Sequence, residues 1–439
     1  MVSLLILADD LSGAADCGIV ALAAGLEASV ALDAAHAQAR SPVLAIDLNS
    51  RNLCAADAGT VHANAIRQHY RPEDQLLYKK IDSTLRGNVV PEVAACVRTA
   101  AQRRLAIVAP AFPAAGRTTR GGRVYVHGKP LQETEVWRHS GTARSTDLRA
   151  LLAAAGLNTM LADLAAVRQG SAALEHLLRL WADAGVEAAV CDAETDADPR
   201  AIAAAGVALH PSVLLVGSAG LAHQLPLLTA KRGEASMALP QIPAASRVVA
   251  IVGSMSSVSR EQAKWLEDHT DCVTLTIAPE VLKAGHMAGA WAEAAERIKA
   301  ALELRDAVIV IGKGESIDPR EGALLCANLS QMIAPHIASI GALIATGGET
   351  ARALLAVMHV SELRLVREIE PGVALACCGG SRALPVVIKA GAFGSVDTLL
   401  NAYRVLSTLR AAGNGDMVAG HSQPQVCAAG RSPDSSSAR

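Results

Sequence analysis

The feature that most constrains the fold of this chain is an alternation of short apolar runs with Ala-rich stretches of helix-favouring composition. The runs lie at residues 4–8, 43–47, 105–110, 188–192, 213–217, 248–253, 308–314, 341–348 and 373–380. They are apolar almost throughout, rather than at every second position. Continuous apolar strands separated by helices predict parallel sheets that are covered on both faces.

The length of the chain, 439 residues, indicates more than one domain. A polar stretch that holds two prolines, residues 229–247, divides the apolar runs into two groups. We predict an α/β protein of two domains, each a mainly parallel sheet flanked by helices, with an active-site cleft between the domains. The predicted boundaries are 1–232 for the N-terminal domain, 233–247 for a linker, 248–415 for the C-terminal domain and 416–439 for a disordered tail.

Composition excludes several classes of partner. The formal net charge is only −2 and aromatic residues make up 2% of the chain, which disfavours nucleic acid. The most apolar stretch, residues 201–222, is interrupted by His210 and Pro211, so we expect no membrane partner. The nine cysteines are scattered without a C-x-x-C pair, which favours reduced thiols and a cytoplasmic protein.

Acidic and basic residues gather where the apolar runs of the N-terminal half end. They are Asp9, Asp10, Asp47, Arg51, Lys80, Asp82, Ser83 and Arg86. Because ligands of open α/β sheets bind beyond the carboxyl ends of the strands, we expect these side chains to meet at one edge. Cations there suit an anionic substrate, and a carboxylate can accept a hydroxyl proton. Alternatively, either acid of the first pair could cap the next helix, and the basic residues could be solvated surface charges.

Glycine-rich turns follow three apolar runs of the C-terminal half. They lie in the segments IVGSMSSVSREQ (251–262), ATGGET (345–350) and IKAGAFGSVDTL (388–399). Glycine lets the backbone approach a ligand closely, and helix N-termini offer N–H groups to phosphate oxygens. The three turns together predict a nucleotide site, although neither the P-loop motif nor the dinucleotide G-x-G-x-x-G motif is present.

Seven segments, in order, resemble the four-carbon acid sugar kinases, also called tetronate kinases. The segments are LADDLSGAADCG (7–18), KKIDSTLRGN (79–88), VAPAFPAAGRTTRGGRVYVHGKPLQETE (108–135), LLVGSAGLA (214–222), VGSMSSVSREQ (252–262), ATGGETARALL (345–355) and LPVVIKAGAFGSVDTL (384–399). The resemblance implies ATP-dependent phosphorylation of the terminal hydroxyl of threonate, erythronate or 3-oxo-tetronate. It places the sugar acid on the N-terminal domain and ATP on the C-terminal domain, with Mg²⁺ as cofactor.

The resemblance also assigns residues to the two ligands. It implies sugar-acid contacts from Asp10, Arg51, Lys80, Ile81, Asp82 and Ser83, and nucleotide contacts from Ser254, Gly347, Gly348, Glu349, Thr350 and Gly391. The strand-end argument adds Asp9 and Arg86 to the first set, and the glycine turn at 388–399 adds Lys389, which lies beside Gly391, to the second.

Phosphoryl transfer depends mainly on positioning and charge neutralisation, which suggests roles for these residues. We expect Arg51 and Lys80 to anchor the acid, and Asp10, or else Asp9 or Asp82, to deprotonate the attacking hydroxyl. The acid next to Asp10 would cap the helix or help to hold Mg²⁺, whose ligands the sequence does not assign. Lys389 would neutralise phosphate charge, or else be a residue at the edge of the core.

Two other classes of function stay open at this point. The chain could sense a sugar acid without converting it, or it could be an isomerase or aldolase that needs no nucleotide. ATP binding separates both from a kinase. A homo-oligomer is a further expectation.

Overall fold

A computed structural model describes residues 3–38, 41–100, 105–135, 137, 145–225, 246–254, 256–313, 321–379, 383–391 and 393–412. The predicted tail and all but the last two residues of the predicted linker lie outside the described residues.

Strands and helices alternate through the N-terminal half, as the apolar runs predict. The strands are β1 (Ser3–Ala8), β2 (Ala28–Ala31), β3 (Val43–Asp47), β4 (Gln75–Lys80), β5 (Leu105–Ala109), β6 (Arg117–Arg120), β7 (Arg123–Val126), β8 (Lys129–Pro130), β9 (Thr159–Ala162), β10 (Ala188–Cys191) and β11 (Val213–Gly217). The helices are α1 (Leu11–Ile19), α2 (Ala55–His69), α3 (Val89–Thr99), α4 (Leu148–Ala154), α5 (Leu164–Val167), α6 (Ser171–Asp183), α7 (Ala197–Ala208) and α8 (Ala219–Ala222).

The C-terminal half continues the alternation. Its strands are β12 (Arg247–Val252), β13 (Val273–Ile277), β14 (Ala307–Ile311), β15 (Ile340–Thr346), β16 (Glu362–Glu370), β17 (Val373–Cys378) and β18 (Pro385–Lys389). Its helices are α9 (Ser257–Asp268), α10 (Pro279–Ala284), α11 (Gly289–Leu304), α12 (Gly322–Ile333), α13 (Gly348–Val357) and α14 (Thr398–Ala412).

One mainly parallel sheet of 15 strands runs through both halves, in the order β13-β14-β12-β15-β18-β17-β16-β2-β3-β1-β4-β11-β5-β10-β9. The halves join where β16 pairs with β2 in antiparallel register, Leu363 opposite Val30. The predicted α/β class is therefore confirmed, and the two sheets prove to be hydrogen-bonded edge to edge. Apolar clusters fill both faces of the sheet, beneath the helices.

Each half has a point at which the strand order reverses. In the N-terminal half it lies beside β1, with β3 on one side and β4 on the other. In the C-terminal half it lies between β12 and β15. Crevices at such points are the usual ligand sites of open α/β sheets, which directs attention to the residues that follow β1, β12 and β15.

One long segment differs from its sequence-based interpretation. Residues 109–134 are rich in Gly, Pro and Arg, a composition typical of a loop. Instead, β6, β7 and β8 form a small antiparallel sheet, with Arg117 opposite Val126. Tight turns need glycine at left-handed backbone angles, and Gly121 and Gly122 supply them at φ 60° and 73° between β6 and β7.

Candidate active site

The carboxyl ends of three adjacent strands bring two acids and two bases into direct contact. Asp9 and Asp10 follow β1, Arg51 lies beyond β3, and Lys80 ends β4. The guanidinium of Arg51 donates to Asp9 Oδ2 at 2.7 Å and to Asp10 Oδ2 at 2.9 Å. The ammonium of Lys80 lies 3.6 Å from Asp9 Oδ1 and 3.4 Å from Asp10 Oδ1. The structure thus assembles the predicted cluster at one sheet edge.

Asp10 lies at the N-terminus of α1 and also faces the cleft. Its Oδ1 accepts a hydrogen bond from the Gly13 backbone N–H at 3.1 Å, which caps α1. Asp9, by contrast, is buried at 2% exposure against Arg51. The structure therefore contradicts the expectation that the neighbour of Asp10 caps the helix, whereas the alternative role of that neighbour, in holding Mg²⁺, stays a prediction. One carboxylate, Asp10, both caps α1 and lines the cleft.

The backbone at Gly13 has a steric requirement that explains its residue type. A Cβ at this position would overlap the ammonium of Lys80 and lie 2.7 Å from Asp10 Oδ1. Glycine therefore lets the Lys80 side chain cross the first turn of α1 and reach both carboxylates.

Opposite charges set the ionisation of this cluster. Burial raises the pKa of Asp9, but Arg51 and Lys80 outweigh burial and hold that pKa well below the usual range. Burial lowers the pKa of Lys80, but the two carboxylates outweigh it, so the net shift is upward. Both groups are charged at neutral pH, and the cluster presents fixed charges to a ligand.

Three polar atoms of the cluster have no hydrogen-bond partner among the residues that the structure describes. They are Asp9 Oδ1, Ser12 Oγ and Arg51 Nη2, and all three are buried. A buried polar atom without a partner is costly, so such atoms mark a place that a ligand completes. A carboxylate or hydroxyl of a substrate would supply the missing partners.

The loop that carries Arg51 is held from below by a buried network. Lys79, fully buried at 0% exposure, pairs with Glu92 Oε2 at 2.9 Å, and Ser50 Oγ donates to Glu92 Oε1 at 2.6 Å. Asn88 Nδ2 donates to the carbonyls of Ser50 at 3.0 Å and Leu53 at 2.8 Å. These contacts position Arg51 without touching the cleft, and they show that Lys79 is not a solvated charge.

Asp82 is committed to the turn that follows β4. It accepts from Arg86 Nε at 3.0 Å and Nη2 at 2.7 Å, and from the Thr84 hydroxyl at 2.5 Å. Burial raises the pKa of Asp82, but Arg86 and Arg51 reverse that effect and hold the pKa well below its ordinary value. Asp82 orders a basic turn and is already saturated with donors, which leaves it a poor proton acceptor.

The glycine turns of the C-terminal half meet at the second strand-order reversal. Ser254 follows β12 and Gly347 follows β15, with φ 93° at the N-cap of α13. A Cβ at Gly391 would lie 2.5 Å from Ser254 Oγ, so glycine lets this turn approach the Ser254 side chain closely. Backbone N–H groups gathered in this way suit phosphate oxygens.

The two halves touch at the site itself. A Cβ on Gly348 would lie 3.0 Å from Asp10 Oδ2 and 3.1 Å from Ser12 Oγ. Asn52 Nδ2 donates to Glu349 Oε1 at 2.6 Å, immediately beside this approach. The first turn of α13 therefore lies against the first turn of α1.

Two neighbouring cavities meet at this contact between α1 and α13. One, of about 80 Å³, is lined by Lys80, Ser83, Arg86 and other residues of the N-terminal half. The other, of about 340 Å³, is lined by the glycine turns, Glu349 and Thr350. Both cavities are lined by Asp10, Ser12, Arg51, Arg86, Ala390 and Phe393. A group in one cavity can therefore meet a group in the other at Asp10.

Two predicted site residues lie elsewhere than expected. The Ile81 side chain is fully buried in the core and is not among the residues that line either cavity. Lys389 is also fully buried, and its ammonium donates to the carbonyls of Ala390 at 2.9 Å and Gly391 at 3.1 Å. Burial lowers the pKa of Lys389 to about 8. Its contacts hold the glycine turn and match the core-edge alternative rather than the phosphate contact.

Other cleft residues were not identified from the sequence. Arg352 on α13 pairs with the buried Asp47 at 2.5 Å and donates to the Leu32 carbonyl at 2.9 Å, which joins the halves. Arg117 lies over the ring of Phe393 at 5.0 Å, which joins them again across the smaller cavity. An isolated Arg on a helix, such as Arg352, carries no local signal of an ion pair.

The fold and the site together define a two-lobed α/β protein with a charged pocket in one lobe and glycine turns in the other. Two domain models match the chain: a sugar-binding N-terminal domain at residues 4–225 and a nucleotide-binding C-terminal domain at residues 249–399. The chain belongs to the four-carbon acid sugar kinase family, whose members are ATP-dependent sugar-acid kinases.

Named relatives span nearly the whole chain. It is similar to a D-threonate kinase of Cupriavidus necator, with 42% identity over 93% of this chain and 99% of that protein. A D-erythronate kinase of Heliobacterium modesticaldum is 28% identical over 90% of this chain and 95% of that protein. A 3-oxo-tetronate kinase of Pseudomonas savastanoi is 28% identical over 91% of this chain and 96% of that protein.

Two solved structures have the same fold. One, from Salmonella typhimurium, has a TM-score of 0.74 at 21% identity and covers 92% of this chain and 99% of its own. The other, from Haemophilus influenzae, has a TM-score of 0.68 at 19% identity, with coverage of 91% and 99%. In the described part of the chain, none of the helices has the length and apolarity that crossing a bilayer requires.

Proposed function

We propose that this chain transfers the γ-phosphoryl group of ATP to the terminal, 4-hydroxyl of a four-carbon sugar acid, with D-threonate as the first candidate. The hydroxyl oxygen forms a bond to phosphorus, the bond between the β- and γ-phosphoryl groups breaks, and ADP leaves. The 42% identity to a D-threonate kinase supports this choice of acid over D-erythronate and 3-oxo-tetronate.

The observation that carries the proposal is the shared wall of the two cavities. Asp10 lies between the charged pocket of the N-terminal lobe and the glycine turns of the C-terminal lobe. A terminal hydroxyl held in the first cavity and a terminal phosphoryl group held in the second would meet at this carboxylate. Positioning of this kind is the main protein contribution to phosphoryl transfer.

The roles of the N-terminal residues follow from their contacts. Arg51 Nη2, which lacks an acceptor, would bind the substrate carboxylate, and Lys80 would bind a hydroxyl or a phosphoryl oxygen. Asp10, whose side chain is 17% exposed, would accept the proton of the attacking hydroxyl. Asp9, buried against Arg51, would hold that guanidinium in place.

The C-terminal lobe would hold the nucleotide by its phosphates. We place the phosphates on Ser254, the 347–350 turn and Gly391, where glycines leave space and α13 directs its N-terminus at the ligand. Lys389 would support this turn through its carbonyl contacts. The sugar acid would thus bind to an N-terminal domain of residues 1–232, and ATP to a C-terminal domain of residues 248–415.

Mg²⁺ belongs to the proposal as the companion of ATP. It would neutralise charge on the phosphates, and oxygen ligands are the ones that it prefers. Asp10 and Glu349 offer carboxylates on the wall of the nucleotide cavity, which fits such an ion.

The test is a kinase assay with ATP, Mg²⁺ and each of D-threonate, D-erythronate and 3-oxo-tetronate, followed by ADP release. We expect turnover with D-threonate and a 4-phosphorylated product. Calorimetry with ATP alone accompanies the assay. A chain that binds a sugar acid but no ATP would be a sensor or an isomerase, and that result would contradict the proposal.

Two further expectations belong to this proposal. A cytoplasmic location is supported by the described cysteines, which are present as thiols. A homo-oligomer is retained as a prediction, and light scattering of the purified chain tests it.

A further inference from the structure

A second polar cluster lies behind the smaller cavity, outside the catalytic cluster. Asp16 on α1, His223 directly after α8 and Glu368 on β16 each point one ligand atom at the others, and these atoms lie within 4.8 Å of one another. The His223 Nε2 atom lies 3.9 Å from Asp16 Oδ1. Two residues come from the N-terminal lobe and one from the C-terminal lobe.

The converging atoms are buried and unsatisfied. Asp16 Oδ1, His223 Nε2 and Glu368 Oε1 each lack a hydrogen-bond partner among the described residues. Asp16 as a whole is only 9% exposed. Buried carboxylate oxygens that lie close together repel unless a cation lies between them.

A proton on His223 completes the cluster only in part. A hydrogen bond needs a separation of roughly 2.7–3.2 Å, and the nearest carboxylate oxygen lies 3.9 Å away. A single N–H would also leave one of the two carboxylates unpaired. A divalent ion can accept an electron pair from all three atoms at once.

We propose that Asp16, His223 and Glu368 form a binding site for one divalent transition-metal ion that joins the two lobes. One imidazole nitrogen and two carboxylate oxygens form a donor set that Zn²⁺ and Mn²⁺ accept. Bonds of roughly 2.0–2.2 Å around a tetrahedral ion place ligand atoms about 3.4 Å apart. Small side-chain rotations bring the three donors to that spacing, and water completes the coordination.

The position of the site gives it a consequence for the pocket. Asp16 lines the smaller cavity, and His223 packs edge-on against Phe112, which also lines it, with ring centroids 5.3 Å apart. The ion would therefore fix the back of this pocket and hold β16 against α1. It is separate from the Mg²⁺ that accompanies ATP at Asp10.

The test is metal binding by the full chain, freed of metal with a chelator and kept without nucleotide or sugar acid. Titration calorimetry with Zn²⁺ should give one tight site per chain, and Mn²⁺ should occupy it in paramagnetic resonance. Asp16→Asn and Glu368→Gln should each weaken this binding at least tenfold. Glu362→Gln, on the same strand but outside the cluster, is the matched control and should bind as the wild type does.

Two further measurements test the proposal even if one of the variants does not fold. Zn²⁺ should raise the unfolding temperature of the wild type and of Glu362→Gln, but not of Glu368→Gln. A Co²⁺-loaded wild type should show no thiolate charge-transfer band, because the site holds no cysteine. Binding that survives both cluster substitutions, a thiolate band, or no tight site in the wild type would overturn the proposal. The kinase assay is independent of every one of these results.

Discussion

At the scale of single residues, the paired acids after β1 have different surroundings although they are adjacent in the chain. Asp9 is buried against Arg51 at the wall of the larger cavity, whereas Asp10 is partly exposed and lines both cavities. An extended backbone directs neighbouring side chains to opposite sides, which accounts for the separation. The chemistry is therefore expected at Asp10.

Replacing Asp10 with Asn tests this expectation without loss of the helix cap, because Asn caps as well as Asp. If the carboxylate accepts the hydroxyl proton, turnover falls about a hundredfold or more while the chain stays folded. Steady-state kinetics with ATP and D-threonate measure the effect. Asp163→Asn is the control, since Asp163 caps α5 through the Ala166 N–H at 2.9 Å. Near-normal turnover of Asp10→Asn would exclude the proposed role.

The buried pair of Lys79 and Glu92 gives a prediction about stability. Glu92→Gln leaves a fully buried ammonium without its anion, which should lower the free energy of unfolding by about 3–5 kcal/mol. Glu175→Gln breaks an exposed helix pair with Arg179 and should cost at most about 0.5 kcal/mol. Urea unfolding of both variants measures the difference. Equal losses of unfolding free energy in the two variants would show that the buried pair stabilises the fold no more than the exposed pair does.

At the scale of elements, the sequence predicts which segments form strands better than it predicts which strands pair with each other. All nine apolar runs form strands, because a strand buried on both faces must be apolar throughout. The β16 sequence ELRLVREIE alternates polar with apolar residues and was not identified, and β2 is only four residues long. The seam between the lobes uses these two strands, so local pattern could not reveal it.

The same limit applies to the site. Charged residues packed into short segments, such as KKIDSTLRGN, were identified because their density is unusual. Arg352, Asn52 and Phe393 lie singly on helices and loops and reach the cleft only through the fold. Lys389 differs in the opposite way: a lysine beside glycines suggests a phosphate ligand, whereas in the structure its ammonium donates to two carbonyls.

The close approach of α13 to α1 predicts an effect of a single methyl group. Gly348→Ala places a Cβ 3.0 Å from Asp10 Oδ2, and overpacking of this kind costs roughly 1–3 kcal/mol. We expect kcat/KM for ATP to fall about tenfold, as about 1.4 kcal/mol corresponds to one decade. Gly289→Ala is the matched control, since Gly289 also begins a helix and its added Cβ meets open space. Kinetics in which both variants resemble the wild type would contradict the proposed contact.

At the scale of the whole molecule, the twist of one sheet explains how the lobes face each other. Three antiparallel pairings separate β1 from β15, so the two strands run in opposite directions through the sheet. They are six strand-to-strand steps apart, which at roughly 20–25° each amounts to a rotation of about 120–150°. The twist therefore directs the carboxyl ends of β1 and β15 toward the same cleft.

The ion pair of Asp47 and Arg352 across the lobes predicts a dependence of stability on pH. Burial raises the pKa of Asp47 to about 6, although Arg352 acts in the opposite direction. The folded chain thus binds this proton more tightly than the unfolded chain, whose aspartates have a pKa of about 3.9. The contribution of Asp47 to stability is complete below about pH 4 and is lost as the pH rises through 6.

Unfolding experiments from pH 4 to 7.5 measure this contribution. The free energy of unfolding of the wild type, minus that of Asp47→Asn, should decrease across the range, because the variant has no proton to lose there. Asp183→Asn, at an exposed carboxylate at the end of α6, supplies the reference for general pH effects. A difference that does not change with pH would contradict the raised pKa.

The narrow seam of β2 and β16 also bears on how the chain can be divided. If the chain is cut in the linker, each half exposes one strand edge that has lost its partner, β2 in one half and β16 in the other. Unpaired edges of this kind pair readily with the backbone of other chains. Each half alone would tend to aggregate, whereas the two halves produced together would reassemble through the complementary edges. A split version of this enzyme would then report, by recovered phosphorylation, on the proximity of any two proteins fused to its parts.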